Sequence, residues 1–363
     1  MKSSIRLASN TMPVPEPMDI PILTSYNDLA AFRLVAEPLG RVKKLIDRQL
    51  AAHVPAISGL TSSPRHRRPE EVNHLVEYIS ARSGKMIRPG LVFLAGLCCG
   101  SITNEHVRVA AIIEMIHNAT LLHDDVIDEG RIRRGSPTIN SLWGNETAVL
   151  LGDLLLSRVF TMSAELDSPA AKVIAAAAVR LCEGELRQTV QKNEWQVSES
   201  EYIDAITEKS AVLFSTACYL GGLLAGASPS QGRSLAEFGL NAGIAFQMTD
   251  DLLDIVGDES KTGKTLGSDI GTHKLTLAII HLLRTVDKSE KNAIISSYLE
   301  NKDARAGRDA LVKIMDRTGS LDYARSRTQE WVAEAIRALR DLDRNEAREA
   351  LIETAQFMAN RTR

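Results

Sequence analysis

The sequence predicts an all-α protein, and three observations carry that prediction. Apolar residues recur at helical spacing through most of residues 70–342. The stretches Ala110–Ile116 and Val173–Leu181 are rich in strong helix formers. No alternating run bounded by turn residues signals a strand.

The elements follow in order. Residues 9–21 carry four prolines and read as part of a flexible arm over 1–25, leaving 26–363 as one domain. A helical pattern runs from Tyr26 to about His53. Residues 55–69 form a polar, proline-bounded loop whose basic cluster reads as a solvated surface. Helical periodicity then marks 72–82, 105–128, 146–166, 169–192, 199–225, 231–257, 274–285, 306–317 and 320–342. Thr147–Leu156 and Tyr219–Ala227 are apolar nearly all round. Such helices lie inside a large bundle or at a subunit interface. A two-fold homodimer is therefore expected, with a central helix in a monomer as the alternative.

Composition narrows the function. The 363 residues are 44% hydrophobic and 25% charged, an ordinary globular balance. A net charge of −3 gives no case for a nucleic-acid partner. No apolar run reaches the roughly 18 residues of a membrane span. Cys98, Cys99, Cys182 and Cys218 have no CxxC spacing and read as small core residues in a reducing compartment. The start, MKSSIRLASN, has no continuous apolar segment, so a cytoplasmic location is expected. Because it is also acid-poor, an organellar transit peptide is the alternative.

Two carboxylate clusters carry the chemistry. Asp124, Asp125 and Asp128 end one apolar helical run, and Asp250, Asp251 and Asp254 end another, each spelling DDxxD. Positions i and i+4 share a helix face about 6 Å apart. Like charges there repel, and a hard divalent cation relieves them; Mg2+ suits because it uses few carboxylates and bridges to phosphate. If the two helices are neighbours, the clusters can face each other across a cavity. Basic residues interleave with them: Lys85 and Arg88, Arg133 and Arg134, Lys209, Lys264 and Lys274. That pattern suggests two anionic groups, one held through metal and one by Arg and Lys directly. His117, seven residues before Asp124, is either a satisfied core histidine or a ligand to diphosphate oxygen. GDESKTGKT at Gly257–Thr265 imitates a phosphate-binding loop, but its first glycine is one residue early and it follows a helix.

The motifs GKMIRPG, IHNATLLHDDVIDEGRIRRGSPT, GDLLL, EKSA, FQMTDDLLD and GKTLGSDIGTHKLTLA, in this order, resemble those of the trans-isoprenyl diphosphate synthases, or polyprenyl synthetases, over about residues 30–363. The resemblance implies the isoprenoid synthase fold, antiparallel helices around a deep central cavity, usually in a dimer. It implies head-to-tail joining of isopentenyl diphosphate to an allylic diphosphate with Mg2+. The departed diphosphate takes the final proton in that family. Both aspartate motifs would bind the allylic diphosphate through Mg2+, with Arg133 in direct contact. Lys209, Gln247, Lys264 and Lys274 would complete the allylic side. Lys85, Arg88, His117 and Arg134 would hold isopentenyl diphosphate. The sequence departs from the family with Ser-Gly before Lys85, and with His273 and Ala278 where a glycine and a proline are usual.

In this family, bulky aromatics four or five positions before the first aspartate accompany short products. Here those positions are Thr120 and Ala119, both small, and Met115, Ala111 and Ala110 below them offer no aromatic block. A medium-to-long product, roughly hexaprenyl to decaprenyl and suited to a quinone side chain, is expected. The alternative floor is the helix carrying Phe160 and Met162, which would stop growth at geranylgeranyl. A class I terpene cyclase and a non-catalytic synthase subunit fit less well. The former needs no second diphosphate pocket, and the latter would be expected to lose metal aspartates.

Overall fold

The structure, a computed structural model, describes residues 29–51, 75, 78–79, 84–133, 135–190, 194–257, 274–299 and 304–361. The proposed arm, the 55–69 loop, most of the 72–82 helix, Arg134 and the 258–273 segment with Lys264 and His273 lie outside them.

The described chain is a helical bundle. Helices α1 (Ala30–Arg33) and α2 (Ala36–Ala51) replace the single helix expected from Tyr26. They lead to α3 (Ile87–Cys99) and α4 (Asn104–Ile127). A short antiparallel ribbon, β1 (Ile132–Arg133) with β2 (Ser136–Pro137), follows, correcting the expectation of no strand. Then come α5 (Ile139–Trp143), α6 (Asn145–Ser163), α7 (Ser168–Val190), α8 (Glu199–Ile206), α9 (Val212–Leu224) and α10 (Pro229–Val256). The chain continues through α11 (Leu277–Thr285), α12 (Lys288–Ile294), α13 (Ala304–Arg317), α14 (Ser320–Ala338) and α15 (Glu346–Asn360).

Local chemistry sets several of these boundaries. Ser198 and Ser228 start α8 and α10 with reciprocal capping boxes to Glu201 and Gln231, and Pro229 occupies the first turn of α10. Asn345 caps α15 by accepting from the Arg348 amide at 2.8 Å. Helix α3 escaped the periodicity reading because Pro89, Gly90 and Gly96 interrupt it and because it is buried on nearly every side. It crosses α9 so closely that a Cβ on Gly221 would lie 2.1 Å from the Val92 carbonyl oxygen. Helix α10 packs chiefly on α9 and α14, while α4 packs on α6, α3 and α2. The core between them is aliphatic and alanine-rich around Phe93, Phe214 and Phe238.

Cys98 and Cys218 are core residues, and burial pushes the Cys98 thiol up to about 12. Cys182 corrects the uniform reading, because it is exposed on α7. Phe160 is 69% exposed, so it cannot close a cavity floor within this chain; Met162 beside it is buried. No helix among the described residues is long and apolar enough to cross a membrane.

Candidate active site

Both acidic clusters sit at the C-terminal ends of long helices. Asp124 and Asp125 lie in the last turns of α4, and Asp128 is its C-cap. Asp250, Asp251 and Asp254 lie in the last two turns of α10, and neither helix has a basic residue in its final turn. Negative charge at a helix C-terminus opposes the helix dipole. These carboxylates therefore need cations from elsewhere.

At the first cluster the nearest cation is local. Arg133 donates from Nε to Asp125 Oδ1 at 2.7 Å, reaching back from the ribbon. Asn140 ties the turn between them by donating to the Asp125 and Gly130 carbonyls at 2.9 and 3.1 Å. Glu129, within this turn, takes a left-handed φ of 51°. Met86, beside Lys85, has φ 54°. Left-handed non-glycine residues are uncommon and cluster at functional sites. Among the described residues these two are the only ones, and both flank candidate site residues.

The second cation on Asp124 comes from a π-helical turn, Thr207–Ala211, inserted between α8 and α9. Single π turns inside α-helices recur at functional sites. This one sets Lys209 Nζ 3.8 Å from Asp124 Oδ2. Helix α7 grips the same ammonium with Glu185 at 2.8 Å and Gln188 at 2.9 Å. The close approach of the two helices depends on Gly184, where a Cβ would lie 2.6 Å from the Lys209 backbone nitrogen. Arg180 holds the turn from outside by donating two bonds, 2.7 and 2.9 Å, to Glu208.

The π turn also reaches the second cluster. Ser210 donates to Gln247 Oε1 at 2.7 Å, and Gln247 donates onward to Asp251 Oδ1 at 2.8 Å. Tyr202 donates to Asp251 Oδ2 at 2.7 Å, and Lys274 Nζ stands 3.5 Å from Oδ1. Asp251 thus turns both oxygens to protein donors and is 2% exposed. It anchors the network, while Asp250 and Asp254 occupy the i, i+4 face beside it. Asp250 Oδ1 accepts from Arg361 at 2.5 Å. Arg308 donates to the Ile255 and Gly257 carbonyls at 2.6 and 2.7 Å, supplying cationic cover for the end of α10.

Electrostatics bring the two clusters into one field. Burial raises Asp124 above the usual carboxylate range. Lys209 opposes this most, Asp128 adds to it, and Arg133 and Lys274 oppose it further. Lys274 therefore acts on the first cluster while standing beside Asp251 of the second. Burial also raises Asp125, against Arg133, and raises Glu185, with Asp124 adding to the rise.

Two further basic residues, Lys85 and Arg88, stand at the start of α3. Arg88 is buried, its guanidinium 4.2 Å above the Phe214 ring, and Lys85 is exposed. No acidic residue occupies the first turn of α3, and a bare helix N-terminus favours an anion. His117 is half-buried on the Asp124 face of α4. Thr120 shares that face and donates to the His117 carbonyl at 2.8 Å. Ala119 and Met115 are fully buried on a different stripe, one and two turns below His123. His123 meets α6, with Nε2 3.3 Å from the Val149 carbonyl oxygen.

Among the described residues no three acidic, imidazole or thiol side chains gather closely enough to hold a metal ion. The donor chemistry still fits a hard divalent ion. Carboxylate oxygens crowd two helix C-termini, two of them are disfavoured by burial, and lysine and arginine now neutralise them.

The sequence reading missed Glu185 and Gln188, which hold Lys209, and Tyr202 and Arg361, which reach the second cluster from distant parts of the chain. Ser210 lay inside the EKSA motif and was the one further residue a motif could mark.

A helical bundle whose two acidic clusters share a cationic network is the architecture of the isoprenoid synthase fold. The sequence profile of the polyprenyl synthetase family matches residues 69–315, and the chain belongs to that family. The octaprenyl diphosphate synthase of Escherichia coli is 38% identical over 293 residues, covering 80% of this chain and 90% of that relative. The all-trans-nonaprenyl-diphosphate synthase of Rhodobacter capsulatus is 34% identical, covering 79% and 87%. A short chain isoprenyl diphosphate synthase of Methanothermobacter thermautotrophicus is 35% identical, covering 81% and 91%. The crystal structure of a polyprenyl synthase from Caulobacter crescentus, complexed with calcium and isoprenyl diphosphate, superposes with a TM-score of 0.82 at 29% identity, covering 92% of this chain and 97% of that one. The chain is a prenyltransferase, and its octaprenyl and nonaprenyl relatives support medium-to-long polyprenyl synthesis.

Proposed function

We propose that the chain joins isopentenyl diphosphate to an allylic diphosphate, head to tail and with Mg2+, to make a medium-to-long all-trans polyprenyl diphosphate for a quinone side chain. The observation that carries this reading is that one π turn serves both clusters, Lys209 standing 3.8 Å from Asp124 and Ser210 bonding Gln247, which in turn bonds Asp251. It supports one binding site for one diphosphate between the clusters.

Asp124, Asp125, Asp128, Asp250 and Asp254 would hold the metal, with Asp251 fixing the helix end behind them. Bound Mg2+ supplies positive charge where the allylic carbon–oxygen bond breaks. Lys209 and Lys274 add fixed cationic charge on the allylic side, where the departing diphosphate becomes more negative. Arg133 orients Asp125 and contacts the same group. Lys85, Arg88, His117 and the start of α3, with Arg134, hold isopentenyl diphosphate. Ile116 and Ile113, the buried aliphatic residues one and two turns below Thr120, would help exclude water from the allylic cation.

Pairing through α6 and α7 fits the same reading. Val149, Leu150 and Phe160 on α6 and Val179, Leu186 and Val190 on α7 stand exposed in the single chain. Apolar residues in such number mark an interaction surface, and a two-fold homodimer would cover them.

The test is incubation of the purified protein with labelled isopentenyl diphosphate, a series of allylic primers and Mg2+, followed by sizing of the products. Products of about 30 to 50 carbons, absent after chelation, are expected. A ladder ending at 15 or 20 carbons would establish the short-chain alternative. No condensation with any primer would remove the proposal.

A further inference from the structure

Arg361 stands out among the cations at the site. It follows α15 and reaches α10 with a side chain only 5% exposed. Its Nη2 donates to Asp250 Oδ1 at 2.5 Å and to the Phe246 carbonyl at 3.2 Å. The guanidinium carbon lies 4.0 Å above the Phe246 ring. Phe246 packs on Phe214 with centroids 5.1 Å apart, and Phe214 carries Arg88 on its ring. Among the described residues, buried Nε of Arg361 has no hydrogen-bond partner. A buried guanidinium with an unmet donor is an expensive way to pin one helix to another. Its contact with Asp250 gives that expense a purpose.

Resting on the metal-assisted reading above, we propose that Arg361 is a positioning residue for the second acidic cluster. It holds Oδ1 of Asp250 and so fixes the carboxylate's rotamer at the metal-binding face. The ring beneath the guanidinium stops the side chain from following the metal or solvent. Asp250 is the part-exposed aspartate of its cluster and the one whose orientation most needs an external constraint. Donors that orient a ligating carboxylate are commonly worth about 10–100-fold in metal affinity or activity. A cation beside a metal ligand also repels the metal. Fixed geometry outweighs that repulsion here because a loose carboxylate must be reordered at each binding event.

The experiment uses the whole chain with inorganic pyrophosphate and Mn2+, following free Mn2+ by its electron paramagnetic resonance signal. Arg361→Ala is expected to raise the half-saturating Mn2+ concentration about tenfold or more. Arg361→Lys, which keeps the charge but cannot reproduce the planar contacts, is expected to give a smaller rise. The Mg2+ half-saturation of turnover should move in parallel, with kcat recovering at high metal. If Arg361→Ala does not fold, Phe246→Leu removes the supporting ring and is expected to shift Mn2+ binding in the same direction. A half-saturation that stays within twofold, or falls, in the folded variants overturns the proposal, even if Tm drops. Failure of wild-type protein to bind Mn2+ with pyrophosphate would instead overturn the metal reading itself.

Discussion

The two acidic clusters share a motif but are wired differently. The first takes one cation from nearby, Arg133 on the ribbon eight residues after Asp125, and one from afar, Lys209 beside Asp124. The second is served from afar. Tyr202 is 49 residues from Asp251, and Arg361 is 111 from Asp250. Asp128 is exposed at a helix end, whereas Asp251 and Asp254 are buried. The first cluster thus combines a local turn with one long-range cation, whereas the second draws its cations from across the assembled bundle. The difference teaches that identical spacing can define one face to be reached by ligand and another whose members also hold the scaffold together.

The largest expected effect tests what the clusters have in common. Asp124→Ala and Asp250→Ala should each lower turnover about a thousandfold, a loss of several kcal/mol from the stabilised departure of diphosphate. Near-normal turnover in either variant, measured at saturating substrates and metal, would break the symmetry of function.

A second, intermediate effect concerns product length. Thr120→Phe projects an aromatic from the Asp124 face of α4 and should shorten the product while leaving the first condensations intact. Ala119→Phe is also expected to shorten it, by displacing α4 from α6, and at a cost of about 1–3 kcal/mol in stability because its site is already full. Product sizing and thermal melts separate the two. Unchanged length in both would remove the floor from this face.

The smallest effect is on stability and pH. Asp124 has a folded pKa raised by burial, so the native state holds its proton more tightly than the unfolded chain. Stability from this group is lost as pH rises above the ordinary value of 3.8 and through the raised one. Asp124→Asn should therefore raise the Tm of metal-free protein at pH 7 by about 2 °C or more, and the gain should shrink toward pH 4. No gain at pH 7 would mean that Lys209 already offsets the burial completely.

The same contrast explains what the sequence could and could not disclose. The paired DDxxD motifs and Arg133 were legible because their chemistry sits at short spacing, and Lys209 because it lies in the EKSA motif. The long helices were legible from periodicity wherever one face met solvent. Helix α3 was not, since burial on all sides erases period and its glycines serve close packing. Glu185, Tyr202 and Arg361 were invisible for a different reason: each is an ordinary polar residue on its own helix and becomes part of the site only by tertiary placement. Phe160, read as an alternative floor, points outward because the helix face that carries it is the one left uncovered in a single chain.

The most direct measurement is a crystal structure with Mn2+ and an unreactive allylic thiolodiphosphate, the ions located by anomalous scattering. The expected map has one diphosphate between the ends of α4 and α10, with ions ligated by Asp124 and by Asp250. A diphosphate whose ions touch only one cluster, the other remaining closed on its own lysines and arginines, would contradict the shared grip on which the mechanism rests.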